Sequence, residues 1–149
     1  MTSSKLQLKS RVVEVGGHES RRLVVEVNSS ELREIVKEFW KEYRGKAYLS
    51  LISVIDFVDE GMFRVDYVFW LVEEKKSLII RVKVPRNNPK LPSIADIVPA
   101  ASVYECEAHD LFGIVFEDSL CPKEGLFKPS DLRGQAPLRK DWEPVTGGR

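Results

Sequence analysis

Asn28-Ser29-Ser30-Glu31-Leu32-Arg33-Glu34-Ile35-Val36-Lys37-Glu38-Phe39-Trp40-Lys41-Glu42-Tyr43-Arg44-Gly45 is the stretch on which the fold turns. Leu32, Ile35, Val36, Phe39, Trp40 and Tyr43 recur at i, i+3, i+4, i+7, i+8 and i+11, the single apolar stripe of an amphipathic helix. Asn28, Ser29 and Ser30 are residue types that cap a helix start. Glu31 falls in the first turn, where the positive end of the helix dipole favours it. Gly45 is expected to end the helix. A helix that is apolar on one side needs a second layer to cover that side, and the flanking sequence supplies strands.

Upstream, residues 6–9 and 11–15 read as an opening strand, Gly16-Gly17 as a turn, and residues 22–27 as a second strand. Downstream, residues 47–57 are apolar and β-branched, and Asp59-Glu60-Gly61 makes a turn. Residues 62–72 alternate bulk with charge, residues 73–76 turn, and residues 77–84 return with Leu78, Ile79, Ile80 and Val82. One helix laid across a mainly antiparallel sheet buries both apolar faces, so the predicted class is α+β.

All eight prolines fall at or after Pro85, dividing a regular first part from a punctuated second part. Residues 85–92 read as a stiff loop. Ser93 with Asp96 is suited to cap a short helix, and Pro99 to the first turn of the next, which runs to about Phe112 and closes at Gly113. Beyond Phe116 no periodicity persists, yet Leu126, Phe127, Leu132, Leu138 and Trp142 are scattered through the tail. The expected organisation is a domain over residues 1–116 and an extended C-terminal tail over residues 117–149. Such a tail either wraps its own domain or docks on a partner.

The 149 residues fit one domain with a sizeable core, and 43% hydrophobic with 31% charged residues is a globular profile. Lys plus Arg (23) equal Asp plus Glu (23), which argues against nucleic acid or an anionic membrane as partner. No apolar run reaches the roughly 20 residues that span a bilayer. Met1-Thr2-Ser3-Ser4-Lys5-Leu6 turns polar too soon for a signal peptide, so direct membrane insertion is not expected. Cys106 and Cys121 lack the Cys-x-x-Cys spacing of a metal or cluster site and read as reduced thiols.

The chemistry-bearing residues concentrate between Tyr104 and Asp110. On a helix advancing about 100° per residue, Ala101, Val103, Tyr104, Ala108, Leu111 and Phe112 cover half the circumference. Cys106, His109 and Asp110 fall opposite, Glu105 lies at the edge, and Glu107 sits inside the apolar arc. A carboxylate there requires a cationic or hydrogen-bonding partner, for which Arg133, Arg139 and Lys140 in the tail are the candidates. Glu105 and His109, at i and i+4, have the spacing of two metal ligands on one face, but a third is missing: His18 is the only other histidine. There is no Gly-x-Ser-x-Gly elbow, and Gly16-Gly17 lacks the spacing of a phosphate loop. No catalytic, cofactor-binding or metal residue is therefore assigned.

Two blocks carry a family resemblance: Ala101, Glu105, Glu107, Asp110, Leu111, Phe112, Gly113, Ile114 and Phe116, then Pro137-Leu138-Arg139-Lys140-Asp141. In order and separation they resemble the family of the soluble C (30-kilodalton) subunit of respiratory complex I and its membrane-bound hydrogenase relatives. Val103 stands where that family carries tryptophan, Cys106 where it carries arginine, and His109 where it carries tyrosine. Glu117-Asp118-Ser119-Leu120-Cys121-Pro122 replaces the glycine-histidine-proline segment of quinone-linked members. That departure is more similar to the corresponding subunit of energy-converting [NiFe] hydrogenases and related ferredoxin-linked complexes.

The resemblance implies a non-catalytic peripheral-arm subunit of a membrane-bound, ion-translocating oxidoreductase, held at the cytoplasmic face through the complex. It implies a large [NiFe]-type subunit, an iron–sulfur small subunit and antiporter-like membrane subunits as partners. Nickel–iron and iron–sulfur centres would then belong to those partners, and none to this chain. Glu105, Glu107, Asp110, Arg133, Arg139, Lys140 and Asp141 would serve as structural ion pairs or as contacts between subunits. The alternatives are the equivalent 30-kilodalton subunit of a quinone-reducing NADH dehydrogenase and, in another class, a stand-alone metalloenzyme using Glu105 and His109.

Overall fold

The structure is a computed structural model that describes residues 12–14, 21–122 and 125–144. The expected strand at residues 6–9 and the Gly16-Gly17 turn lie outside the described residues. The first strand described is β1 (Val12–Glu14), followed by β2 (Arg22–Val27), helix α1 (Leu32–Tyr43), β3 (Ala47–Phe57), β4 (Met62–Leu71) and β5 (Lys76–Pro85). Then come β6 (Lys90–Pro92), helix α2 (Ala101–Phe112), β7 (Val115–Glu117) and a 3₁₀ turn at Ser130–Leu132.

The main sheet has the order β1-β2-β5-β4-β3, with β2 and β5 parallel and every other pair antiparallel. The α+β architecture expected from the sequence is the one observed. Period-2 alternation sends Phe63, Val65, Tyr67 and Phe69 to one face with Leu78, Ile80 and Val82 beside them, all buried. Leu32, Ile35, Val36 and Phe39 of α1 close over that face, and the Phe39 ring meets Phe69 edge-on at 4.8 Å. Burying each such side chain stabilises by roughly 1.5–3 kcal/mol, which is why one apolar stripe suffices to place α1.

The capping expectation needs one correction. Glu31 is itself the N-cap of α1 and has no side-chain cap bond forward; its Oε2 reaches back to accept from Asn28 N (3.1 Å) and Nδ2 (3.2 Å). Gly45 does stop the helix, at φ +84°.

The segment read as a stiff loop contains β6, which pairs in parallel with β7 on the far side of α2. Flanking prolines hid a three-residue strand whose partner lies beyond a whole helix. Ser93 and Asp96 do not cap a short helix; residues 95–97 form a turn. Asp96 instead receives the Arg33 guanidinium of α1 at 2.7 and 2.8 Å. The result is an α2 braced on the sheet, with Phe112 edge-on to Phe63 at 6.2 Å.

Candidate functional site

The site grows from α2, two of whose carboxylates point inward. Glu105 is fully buried; Ser93 Oγ donates to its Oε2 at 2.6 Å and Ile94 N to its Oε1 at 2.8 Å. These bonds tie the chain after β6 to the middle of α2. Burial pushes the Glu105 carboxyl above its ordinary range, with the two donors pulling the other way. The phenol of Tyr67, wholly buried, is pushed far up, first by burial and then by the charge of Glu105.

Asp110, 1% exposed, holds the tail. Its Oδ2 accepts from Leu126 N at 2.6 Å and Phe127 N at 2.8 Å. Gly125, at φ +82°, lies so close that a Cβ there would stand 3.0 Å from Asp110 Oδ1. Past the end of α2 the tail returns. Gly113 caps the helix in the left-handed region (φ +75°), its N–H on His109 O at 2.8 Å. Leu138 N donates to Leu111 O at 2.9 Å, and Arg139 Nε to Phe112 O at 2.8 Å. The Arg139 guanidinium covers the Phe63 ring at 5.0 Å.

The closing block ends in an ion triad. Arg86 donates to Asp56 at 2.7 and 3.1 Å and, from Nη2, to Asp141 at 2.6 Å. Lys140 N donates to Asp56 Oδ2 at 3.0 Å. Hydrogen bonding to Arg86 holds the Asp141 carboxyl below its usual range. Asp141 and Asp56 in turn raise Arg86, the first the more strongly. Between these anchors Trp142 Nε1 donates to Gln135 Oε1 at 2.9 Å and Lys128 Nζ to Gln135 O at 2.8 Å.

Of the residues singled out from sequence, Glu105, Asp110, Arg139, Lys140 and Asp141 are thus brought into one framework, Lys140 through its backbone. Glu107 is half-buried, and Arg133 is exposed after the 3₁₀ turn. The expected burial order on α2 is overturned: Glu105 and Asp110 go inward while Val103 is 53% exposed. Arg139, a candidate partner for Glu107, is bound to Phe112 O. The reason is that α2 is covered on two sides, by the sheet on one and by the β6 segment and tail on the other. A wheel drawn for a single apolar face misses the second cover. Asp56, Arg86, Ser93 and Gly125 were missed. Only Asp56 left a signal, as a carboxylate two positions beyond Val54 on the inward register of β3.

The two-ligand reading of Glu105 and His109 does not match the geometry, since both Glu105 oxygens are taken and His109 Nδ1 lies 2.8 Å from Ile114 O. Among the described residues no group of three or more His, Cys, Asp or Glu is placed to hold a metal ion.

Residues 25–147 match the model of the family described as respiratory-chain NADH dehydrogenase, 30 Kd subunit. The chain belongs to this family. Within it, the chain is 36% identical over 110 residues to the C subunit of the NADH-quinone oxidoreductase of Moorella thermoacetica, covering 72% of each. It is 33% identical over 126 residues to the beta subunit of the membrane-bound hydrogenase of Pyrococcus furiosus, covering 83% of this chain and 72% of that one. Its fold matches a chain in the membrane-bound sulfane sulfur reductase, an archaeal respiratory membrane complex, with TM-score 0.77 at 24% identity over 95% of this chain and 84% of that chain. No helix among the described residues is long and apolar enough to cross a membrane.

Proposed function

We propose that this member of the 30-kilodalton subunit family is a non-catalytic scaffold in the peripheral arm of a membrane-bound, ion-translocating oxidoreductase complex of the hydrogenase type, linked to ferredoxin. In this reading it packs against the large [NiFe]-type subunit and steadies it against the iron–sulfur small subunit. The complex, with its antiporter-like membrane subunits, holds the chain at the cytoplasmic face. Redox centres reside in the partners.

One observation carries this reading: the tail is pinned by its backbone while Leu126, Phe127 and Leu138 face out. Leu126, Phe127 and Leu138, 60%, 44% and 52% exposed, hang from residues bonded directly to Asp110 or Leu111 of α2. Single exposed apolar residues are ordinary, but several held on one pinned segment form an interface ready before the partner arrives, so little ordering entropy is lost on docking. The similarity to the Pyrococcus hydrogenase protein supports the hydrogenase type. The similarity to the Moorella oxidoreductase protein supports the second reading, a quinone-reducing complex.

Affinity capture of this chain from native membranes in mild detergent, with mass spectrometry of what accompanies it, tests the proposal. A [NiFe]-type large subunit with cluster-bearing and antiporter-like chains is the expected result. An NADH-oxidising module in their place would select the second reading, and a chain recovered alone would refute both.

A further inference from the structure

Between the last turn of α2 and the tail lies an open cleft of about 520 Å³, walled by Lys128, Gln135, Arg139 and Trp142. That volume falls in the range of roughly 300–1,000 Å³ that ligand sites occupy. Its walls are fixed before anything enters. Lys128 Nζ donates to Gln135 O at 2.8 Å and Trp142 Nε1 to Gln135 Oε1 at 2.9 Å, so one glutamine locks both side chains. Arg139 is held through Nε on Phe112 O at 2.8 Å and by its cover over the Phe63 ring. Its Nη2 stands 3.1 Å from where a Cβ on Gly113 would be, so that glycine leaves the room in which the guanidinium lies.

Donors and acceptors in this cleft are out of balance. Lys128 and Arg139 are half-buried, and each gives its hydrogen bond to a neutral carbonyl. Neither forms an ion pair among the described residues. The other ammonium donors and the Nη groups are left without a protein partner. Both carboxylates that border the cleft are already engaged. Asp141 Oδ1 accepts from Arg86 at 2.6 Å, and Asp110 Oδ2 accepts from Leu126 N and Phe127 N. Asp110 Oδ1 has no partner, but it is buried, and a Cβ on Gly125 would stand 3.0 Å from it. Two fixed cations with unused donors suit an anionic acceptor, because charge-assisted hydrogen bonds are the strong ones.

We propose that this cleft receives an acidic side chain, an Asp or Glu of the subunit on which the tail docks, with Lys128 and Arg139 as its donors. The site depends on the tail docking as described above, and it gives the chemistry of one contact in that interface. In the chain each cation directly follows an exposed apolar residue, Phe127 before Lys128 and Leu138 before Arg139. Apolar contacts beside a charge contact keep water from it, which strengthens the attraction and fixes the register of docking.

The test uses the complex captured from native membranes in mild detergent. A water-soluble carbodiimide joins a lysine amine to a carboxylate that it touches, as an amide with loss of water, and peptide mapping locates the bond. Expected is an amide between Lys128 and an Asp or Glu of a partner subunit. Lys128→Arg, which keeps the cation but has no amine, should lose this cross-link and keep the partner. Lys128→Glu should cut partner retention through a salt wash at least about tenfold, well beyond any fall in the urea midpoint of the chain alone. Wild-type retention of Lys128→Glu would overturn the cleft while leaving the docking of the tail in place. So would a Lys128 cross-link only within this chain or to a second copy, or none while other lysines react. Recovery of the chain without any partner subunit would instead remove the docking role, and the cleft with it.

Discussion

Asp110 Oδ2 lies 2.6 Å from the backbone nitrogen of Leu126, sixteen residues downstream, and this bond with its neighbour on Phe127 is what converts an aperiodic tail into a fixed surface. A carboxylate accepting two backbone N–H groups is a strong clamp, because both are charge-assisted. Asp110→Ala leaves those donors without a partner, at a cost of about 2–4 kcal/mol. Hydrogen exchange should show residues 125–128 losing protection while β4 and β5 keep theirs. Unchanged protection at Leu126 and Phe127 would mean that the clamp does not hold the tail.

The same grip makes one glycine irreplaceable and another nearly free. Gly125 and Gly134 both have positive φ, +82° and +75°. A Cβ at Gly125 would meet Asp110 Oδ1 at 3.0 Å and Cγ at 3.2 Å, whereas at Gly134 it would meet nothing within 4 Å. Gly134→Ala should therefore cost only the left-handed strain, about 1–2 kcal/mol. Gly125→Ala should cost that and also loosen the hold of Asp110 on Leu126 and Phe127, exposing residues 125–128 to limited proteolysis. Equal proteolysis of the two variants would sink the distinction.

What could be read from the residues follows the range of the forces involved. The amphipathic stripe from Leu32 to Tyr43 and the alternation through Phe63, Val65, Tyr67 and Phe69 are local patterns, and they placed α1 and the antiparallel strands correctly. The parallel pairing of β6 with β7 depends on residues at either side of α2, with no local period to announce it. The site was half visible: Glu105, Asp110 and Arg139 were singled out, but the helix wheel put Glu107 inside the apolar arc, Glu105 at its edge and Asp110 opposite. Which of them turn inward was set by the second cover of α2, and that cover is the aperiodic tail. Arg86 carried no signal, because nothing near it in the chain reveals that Asp56 and Asp141 converge on it.

Arg86 is the most sensitive point of the closing block. Asp56 is nearly fully buried, its side chain 2% exposed, and Arg86 is its cation. Arg86→Ala strands that charge and should destabilise by about 3–5 kcal/mol. Adding Asp56→Asn should recover much of the loss, since the buried charge goes with it. A double-mutant cycle by urea unfolding measures this, and strictly additive losses would show that the pair is not coupled.

Two carboxyls give the chain opposite pH responses. Glu105 has its pKa raised in the fold above the ordinary 4.5, so between these values the folded state binds the extra proton. Its contribution to stability is greatest below pH 4.5 and falls as pH rises through the folded value. Asp141, lowered beneath 3.8, contributes above that pH and loses its contribution on acidification below it. Relative to Glu105→Gln, the wild-type chain should lose stability as pH climbs from 4.5, in denaturant titrations at a series of pH values. A difference between the two that is flat with pH would refute the inward, desolvated placement of Glu105.

Arg139 separates folding from assembly. Its bond to Phe112 O and its cover over Phe63 position Leu138 beside the end of α2, yet the strands and α1 close without it. Arg139→Ala should lower the stability of the isolated chain by about 1–2 kcal/mol, the scale of one charge-assisted hydrogen bond and one cation–π contact. Recovery of partner subunits in capture from membranes should fall much further, because a displaced Leu138 no longer presents a pre-ordered surface and docking must then absorb the ordering cost. Arg139→Lys, which keeps the charge but not the planar fork, should recover stability better than assembly. Matching losses in unfolding free energy and in partner recovery would show that Arg139 serves the fold alone, and the docking role of the tail would then rest on Leu126 and Phe127.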